Sequence, residues 1–509
     1  MPASCHSTFL HPKAAAFESP GGPWHQQDLA SLLADAPDRS DLICGEGARW
    51  STSQLRTATS RVAAWLEGHG VRHGDAVAWQ LGNGPDVAAL YLACWRLGAV
   101  AVPFHEQITV PEAQRVLEQL GEGAMVVAAD DLPLASIATA VVGEGALLDV
   151  VGDATAGPPA CRPHDLAVVL TTSGSSGTPK SVLLSHRALA YKARQIPTLH
   201  GTGVGDAVLI PAPMAHMAGL LHGVLHPIGG GAKAVIMRRW HAGRALDLIR
   251  DEGVTMLFGP PVYALGLAAL DTFTAEAVAS VRLVSSGGTS ITESYVRNVE
   301  RTFGAVVKRT YGSTEAPVVC TVTPGDDPRF GWTTDGRPVP GVELEIRAPD
   351  GTTRLPPGSQ GELWLRGPEM CDGYLDPVQT AETFVDGWMR TRDLARIDEA
   401  GYVSILGRVS GLIIRGGMNI SPAEVAAALE AHPDVHQAVV LGYPDEVYGE
   451  RIAAFLVAER TLTRDDCVDW FRRHGVAKYK VPDRLVHVEA IPTLATYQKP
   501  DLAALRALL

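Results

Sequence analysis

With 509 residues, the chain has room for about three domains of ordinary size, or for one large unit with an appendage. Apolar residues make up 46% and charged residues 19%, which excludes a mainly disordered chain. The formal charge of −13 lacks the basic footprint of a nucleic-acid binder, although one local basic loop can still hold an anionic small molecule.

The cysteines are Cys5, Cys44, Cys94, Cys161, Cys320, Cys371 and Cys467. Their number is odd, their spacing wide, and no C-x-x-C occurs. This pattern predicts a reducing, cytoplasmic setting without a disulfide framework or zinc knuckle. The opening MPASCHSTFLHPK has neither the basic start nor the apolar run of a signal peptide.

The first half alternates strand-like and helix-like runs. Residues 76–80 (AVAWQ) form an apolar run, 85–100 have helical spacing, and 99–104 (AVAVPF) are a second buried run. A short amphipathic helix is predicted over 111–120, then a strand over 125–129. This rhythm is that of an α/β domain with a mostly parallel sheet. It recurs in strands over 207–211 and 233–237 and a strand and turn over 254–261, with helices over 244–253 and 293–304. Residues 207–232 carry no Asp, Glu, Lys or Arg and are long enough to span a bilayer. Pro211, Pro213, Pro227 and the histidines 216, 222 and 226 mark them instead as a buried turn-and-helix region, so no membrane span is expected.

From about Gly325 the texture changes to short strands punctuated by Gly and Pro, as in VELEIRAPDG, GELWLRG and GYVSILGR, which predicts an antiparallel β subdomain. After Arg408 comes a helix capped by Ser421 with Pro422 at its first position. Strands over 437–446, 451–458 and 484–492 follow, with a helix over 465–475. The expected architecture is therefore α/β. A large N-terminal domain, 1–407, has mostly parallel sheets flanked by helices and a β subdomain at about 325–407. A hinge at 408–411 joins it to a small mobile α+β C-terminal domain, 412–509.

The most informative stretch is LTTSGSSGTPKSV, 170–182. An apolar run delivers the chain into Thr171, Thr172, Ser173, Gly174, Ser175, Ser176, Gly177, Thr178, Pro179 and Lys180. Small residues let backbone N–H groups converge on an anion, hydroxyls add donors, and Lys180 adds a positive charge. The loop suits a polyphosphate. It is not a Walker A motif, because Pro179 stands where that motif needs Gly.

TSGSSGTPK resembles the phosphate-loop signature of the adenylate-forming superfamily, which includes acyl- and aryl-CoA synthetases, peptide-synthetase adenylation domains and beetle luciferases. Further signatures follow in order: YGSTE (311–315), GELWLRGPEMCDGY (361–374), RTRDLARID (390–398), GRVSGLIIRGGMNISPAEV (407–425) and Lys499 in IPTLATYQKPDL. The resemblance spans essentially the whole chain and is closest in pattern to acyl- or aryl-CoA ligases.

It implies attack of an acid oxygen on the α-phosphorus of ATP, release of pyrophosphate, and displacement of AMP by a thiol. By position, Glu315 becomes the Mg²⁺ ligand, Thr314 a donor to the α-phosphate, and Tyr311, with Gly312 and Ser313, part of the nucleotide site. Asp393 and Arg408 become the ribose contacts. Gly287, Gly288 and Thr289 form the wall between adenine and the acid pocket. His216 lies near the carboxylate, and Lys499 bridges acid and phosphate. Ser410 is the hinge position, and Gly416 and Gly417 belong to the loop of the thiol step. His222 and His226, at i, i+4 without an acidic neighbour, are expected to be structural.

Three positions depart from the family pattern. Arg392 stands where Gly is usual before Asp393, Ser410 where Asp or Lys is common, and Gln498 where Gly usually precedes the terminal Lys. The segment 211–220 has no acidic residue to hold an α-amino group, which argues against an amino-acid substrate. The expected partners are a small organic acid with ATP and Mg²⁺, then CoA or a carrier protein. The alternatives are release of the adenylate to another nucleophile, a very small or non-carboxylic acid, a luciferase-like oxygenase, and a non-catalytic nucleotide-binding protein. The last is disfavoured by Lys180, Glu315, Asp393 and Lys499.

Overall fold

The computed structural model describes residues 11, 13–25, 28–45, 47–121, 123–172, 180–289, 291–415, 418–445, 449–494 and 499–509. Two large sheets form its body. A six-stranded sheet runs in the order Ala140–Val142, Met125–Ala129, Ala76–Gln80, Val100–Phe104, Leu166–Thr172, Lys180–Ser185. All its pairings are parallel except the last, an antiparallel hairpin. In a nine-stranded sheet, the strands Val306–Tyr311, Leu283–Gly287, Met256–Gly259, Ala207–Ile210, Lys233–Ile236 and Ile43–Gly45 are neighbours and parallel. The strands Ala76–Gln80, Val100–Phe104 and Met125–Ala129 are buried at every residue, as expected of parallel strands covered on both faces.

The helix Pro85–Leu97 explains how the sheets are joined. Every residue but Arg96 is buried, so this helix has no solvent face. It packs in one apolar cluster with Val77 and Trp79 of the first sheet and Ile43, Val208 and Ile210 of the second. Its buried aromatics keep their polar atoms bonded: Tyr91 donates to the Met214 carbonyl at 2.7 Å and Trp95 to that of Ala167 at 3.1 Å. Pro85 starts the helix, and Gly98, at φ +68°, ends it.

The expected β subdomain is an antiparallel five-stranded sheet built from Glu343–Arg347, Gln360–Arg366, Phe384–Val385, Trp388–Ile397 and Val403–Arg408. The chain then passes through a short 3₁₀ turn, Val409–Gly411, into a second five-stranded sheet with the helices Pro422–Glu430 and Arg464–Arg473. Ser421 caps the first of these helices by accepting from the Glu424 N–H at 3.3 Å, and its hydroxyl donates to the Leu406 carbonyl across the connection. The strand and turn expected over 254–261 are the strand Met256–Gly259 and the residues after it, the buried turn-and-helix region 207–232 holds the short helical pieces Met217–Leu220, Leu221–Leu225 and His226–Gly230, and the strand expected over 484–492 shortens to Arg484–His487. Pro260, directly after Gly259, accounts for the end of the first of these strands, because proline has no N–H to give to a sheet. Among the described residues no helix is long and apolar enough to cross a membrane.

Candidate active site

In open parallel sheets ligands collect beyond the carboxyl ends of the strands. Here those ends bring together Gly287 and Gly288, Tyr311 and the loop after it, and His105 after Val100–Phe104. Gly287 pairs with Thr310, and a Cβ on it would lie 2.4 Å from the Thr310 carbonyl oxygen, so only glycine permits this approach.

The loop from Tyr311 to Val319 is wound tightly. The Val319 N–H donates to the Tyr311 carbonyl at 2.7 Å and that of Ser313 to Ala316 at 3.0 Å. A Cβ on Gly312 would meet the Val318 nitrogen at 2.5 Å. Val318 is held at φ +51°, a left-handed conformation costly for a β-branched residue. The buried ammonium of Lys192 donates to its carbonyl at 3.0 Å. This winding presents Thr314 and Glu315. The Glu315 carbonyl accepts from the Cys371 N–H at 2.7 Å, and its Oε1 accepts from the Tyr374 hydroxyl at 2.7 Å.

Tyr374 reaches Glu315 because residues 372–375 run along the strand Lys180–Ser185. Leu183 N–H donates to Gly373 at 2.9 Å, Asp372 N–H to Leu183 at 2.8 Å, and Leu375 N–H to Ser181 at 2.9 Å. The Lys180 ammonium lies 4.8 Å from the centre of the Tyr374 ring. Thr171 and Thr172 face Ser181 and Lys180 across the hairpin. The expected phosphate-loop residues Ser173, Gly174, Ser175, Ser176, Gly177 and Thr178 lie outside the described residues, as do Gly416 and Gly417.

Sheet register sets a second group. Asp393 pairs with Arg408, and Arg408 Nε lies 2.8 Å from Asp393 Oδ1. The other oxygen, Oδ2, accepts from the Tyr311 hydroxyl at 2.6 Å. Burial pushes the Asp393 carboxyl above its ordinary value, against Arg408 and the Tyr311 hydrogen bond, which pull it down. Burial and Asp393 together hold the Tyr311 phenol well above its usual range. Arg392, the departure noted in the sequence, is exposed and adopts φ +63°, the conformation for which glycine is suited.

Lys499 reaches the same site from the C-terminal sheet region. It interacts electrostatically with Asp393, Glu315, Arg408 and His216. Loss of solvation and Arg408 hold its ammonium below the ordinary lysine value, while Asp393 and Glu315 pull the other way. Burial, His105 and Lys499 hold the His216 imidazole down to about 3, so it is neutral. Lys499, Glu315, Asp393, Arg408, Tyr311 and His216 thus converge. Thr314 lies within the same loop, and Thr289 follows Gly288. Tyr374 and His105 also meet the site, although neither was singled out in the sequence. Tyr374 stood within a quoted motif; His105 carried no local signal.

His222 and His226 lie apart from this mouth, in the core. The His222 ring stacks on Phe258 at 3.9 Å, and the two Nδ1 atoms are 3.4 Å apart. Among the described residues no group of three or more His, Cys, Asp or Glu could hold a metal ion.

The chain is 32% identical to a medium-chain fatty-acid–CoA ligase of Escherichia coli (strain K12), covering 95% of this chain and 91% of that protein. It is 31% identical to the fatty acid–[acyl-carrier-protein] ligase ScoC of Streptomyces coeruleorubidus, covering 90% of this chain and 91% of that protein. The crystal structure of ATP-bound MatB from Rhodopseudomonas palustris superposes with a TM-score of 0.86 at 28% identity, covering 94% of this chain and 98% of that one. Residues 424–496 match the AMP-binding enzyme C-terminal domain. Residues 30–375 match the AMP-binding enzyme model, and the chain belongs to that family of adenylate-forming enzymes.

Proposed function

We propose that this enzyme activates a small organic acid with ATP as an acyl adenylate, releasing pyrophosphate, and then transfers the acyl group to the thiol of CoA. The observation that carries the reading is the convergence of Lys499 with Glu315, the Asp393–Arg408 pair and His216 at one mouth. ATP use accords with the ATP-bound MatB structure, and CoA with the ligase of Escherichia coli.

In this reading Thr171, Thr172 and Lys180 border the phosphate cradle of residues 173–178, and Thr314 donates to the α-phosphate. Gly287, Gly288, Thr289, Tyr311, Gly312 and Ser313 border the adenine, with close backbone approach at the glycines. Both oxygens of Asp393 already accept a hydrogen bond, from Tyr311 and Arg408, yet each keeps a further lone pair for a ribose hydroxyl. Arg408 is the second ribose contact.

Glu315 is suited to Mg²⁺. One of its oxygens is held by Tyr374, it is a hard carboxylate, and no all-protein cage surrounds it among the described residues. That donor set fits an ion bound mainly through substrate phosphates, which would supply charge neutralisation there. Lys499 offsets the negative charge that shifts between acid oxygen and phosphate, and neutral His216 donates a hydrogen bond beside the carboxylate. There is no covalent enzyme intermediate, so positioning and charge carry the rate.

The arrangement with Lys499 at the mouth suits the first half-reaction. The C-terminal unit, residues 412–509, turns about 408–411, with Ser410 at the pivot, to bring the Gly416–Gly417 loop for the thiol step. The match to ScoC favours a second reading, in which a carrier protein's thiol replaces CoA.

The deciding experiment is exchange of labelled pyrophosphate into ATP. It is run over straight-chain acids from acetate to decanoate, with benzoate, phenylacetate and cinnamate. Acid-dependent exchange is expected, and none over the panel would refute the activation of such acids. Adding CoA or a phosphopantetheinylated carrier protein to the active acid then separates the two acceptors.

A further inference from the structure

Glu315 is held by two chain segments, and one buried cation meets both. The first segment is its own loop, wound through Val318, whose φ of +51° is strained for a β-branched residue. The second is residues 367–374, which bond the Glu315 carbonyl through the Cys371 N–H and its carboxylate through the Tyr374 hydroxyl, both at 2.7 Å. Lys192, on the helix His186–His200, is fully buried. Its Nζ donates to the Val318 carbonyl at 3.0 Å and to Gln195 Oε1 at 2.6 Å, and lies 3.9 Å from Oε1 of the equally buried Glu369. Gln195 is itself anchored, its Nε2 donating to the Pro340 carbonyl at 2.8 Å and to the Tyr191 hydroxyl at 3.1 Å.

An uncharged straight chain such as methionine would fill the place of Lys192 without the desolvation that burying an ion pair costs. Burial holds the Lys192 pKa down against the pull of Glu369, and holds that of Glu369 up against Lys192. Both Glu369 oxygens lack a hydrogen-bond partner among the described residues, so its carboxylate contributes charge rather than anchorage. What the cation adds is a donor at one backbone carbonyl. Within 311–319 Val318 alone has a positive φ, and its carbonyl is the one that Lys192 meets. A residue in such a conformation persists only where its surroundings fix it, and a bond from a charged donor is a strong constraint.

We propose that Lys192 is a positioning residue for Mg²⁺ binding: by holding the Val318 carbonyl it keeps the 311–319 loop wound so that Glu315 faces the ion, and Glu369 is the counter-charge that lets the cation be buried. The inference rests on the reading of Glu315 as the Mg²⁺ ligand.

The test separates this role from stability by comparing wild type with K192M/E369M, E369M and E315Q. Melting temperature reads folding. Binding of Mn²⁺ to the enzyme–ATP complex, followed by electron paramagnetic resonance, reads the metal site. Hydrogen–deuterium exchange of peptides covering 311–319, without metal, reads the loop. K192M/E369M replaces the pair by apolar chains of similar length, so its melting temperature is expected to equal or exceed that of wild type. Its Mn²⁺ affinity is expected to fall about tenfold, the smaller worth of a hydrogen bond from a charged group, with faster exchange across 311–319. E369M leaves a buried charge uncompensated and is expected to melt lower. Its Lys192 nitrogen, charged or neutral, still has a hydrogen for Val318, so its Mn²⁺ affinity should stay within about threefold of wild type. E315Q should lose Mn²⁺ affinity while its loop exchanges as in wild type. Should K192M/E369M not fold, K192M/E369Q takes its place. Wild-type Mn²⁺ affinity in the double variant beside a weakened E315Q would overturn the proposal and leave the reading of Glu315 intact. Weakened Mn²⁺ binding without faster loop exchange, or E369M as weak as the double variant, would overturn it as well. Wild-type Mn²⁺ affinity in E315Q would remove both.

Discussion

The Tyr374 hydroxyl donates to Glu315 Oε1 at 2.7 Å, and the same ring lies 4.8 Å from the Lys180 ammonium. One side chain therefore touches both the cation beside the phosphate cradle and the carboxylate suited to Mg²⁺. Tyr374→Phe keeps the ring under Lys180 but frees the carboxylate. A hydrogen bond to a charged group is worth about 1.5–3 kcal/mol, so pyrophosphate exchange should fall by about tenfold to a hundredfold. Tyr374→Leu removes the ring face too and should fall further. Equal rates for wild type and the Phe variant across a Mg²⁺ titration would show that Glu315 does not depend on this hydroxyl.

Lys499 is the C-terminal cation that shares its surroundings with Glu315, Asp393, Arg408 and His216. Lys499→Ala should lower exchange by roughly 10²–10³-fold, the scale of a lost transition-state donor. Nucleotide binding, read by equilibrium dialysis of labelled ATP, should change little, because the other proposed nucleotide contacts come from the large body. A near wild-type exchange rate in this variant would remove Lys499 from the chemistry.

Arg392 carries an exposed side chain on a backbone at φ +63°. A non-glycine residue there costs about 1 kcal/mol or more, and glycine relieves it at some cost in chain entropy. Arg392→Gly should shift the urea midpoint upward by an amount equivalent to about 0.5–1 kcal/mol. KM for ATP is the informative second measurement. An unchanged value would make Arg392 a tolerated departure, and a raised value would show that its charge assists the nucleotide.

His200 is 3% exposed, and neither ring nitrogen has a hydrogen-bond partner among the described residues. Burial first, then the positive charge of Lys308, holds its pKa well below the ordinary histidine value. The sign follows from linkage. Below about pH 6.5 the unfolded chain binds a proton at this position and the native protein does not, so wild type loses stability as pH falls. His200→Leu removes that loss. Its stability relative to wild type should grow by about 1.4 kcal/mol per pH unit below 6.5, reaching about 2 kcal/mol at pH 5. Urea midpoints of the two proteins at pH 7.5 and 5.0 measure it, and a constant gap would mean that native His200 already carries the proton.

Most of the fold was legible because hydrophobic period and punctuation agree in this chain. The buried five-residue runs, the Pro85 start with the Gly98 stop, and Ser421 before Pro422 each announce themselves locally. The helix Thr52–Gly68 was overlooked despite its capping box, in which Ser51 and Gln54 bond reciprocally. The site was legible where its groups stand in ordered motifs, such as Glu315 and Asp393. It was not legible where a contact depends on pairing between distant segments. Tyr374 meets Lys180 only because residues 372–375 run beside the strand Lys180–Ser185, and His105 meets His216 only because two strands end at one rim. Arg392 stood out as a departure in sequence, but its backbone conformation goes with a bulge in which Thr391, Arg392 and Asp393 stand opposite the single residue Leu363 of the neighbouring strand, a pairing that no adjacent residue spells out.

The helix Pro85–Leu97 has a consequence for how the molecule can be divided. Because it is clasped by both large sheets, neither sheet owns it, and a fragment ending between them would expose a helix that is apolar on all sides. The body behind the mouth is therefore indivisible, although it spans several hundred residues. Split reporters, grafted modules and chimaeras cut inside it should aggregate, whereas cuts near 408–411 leave each core cluster whole.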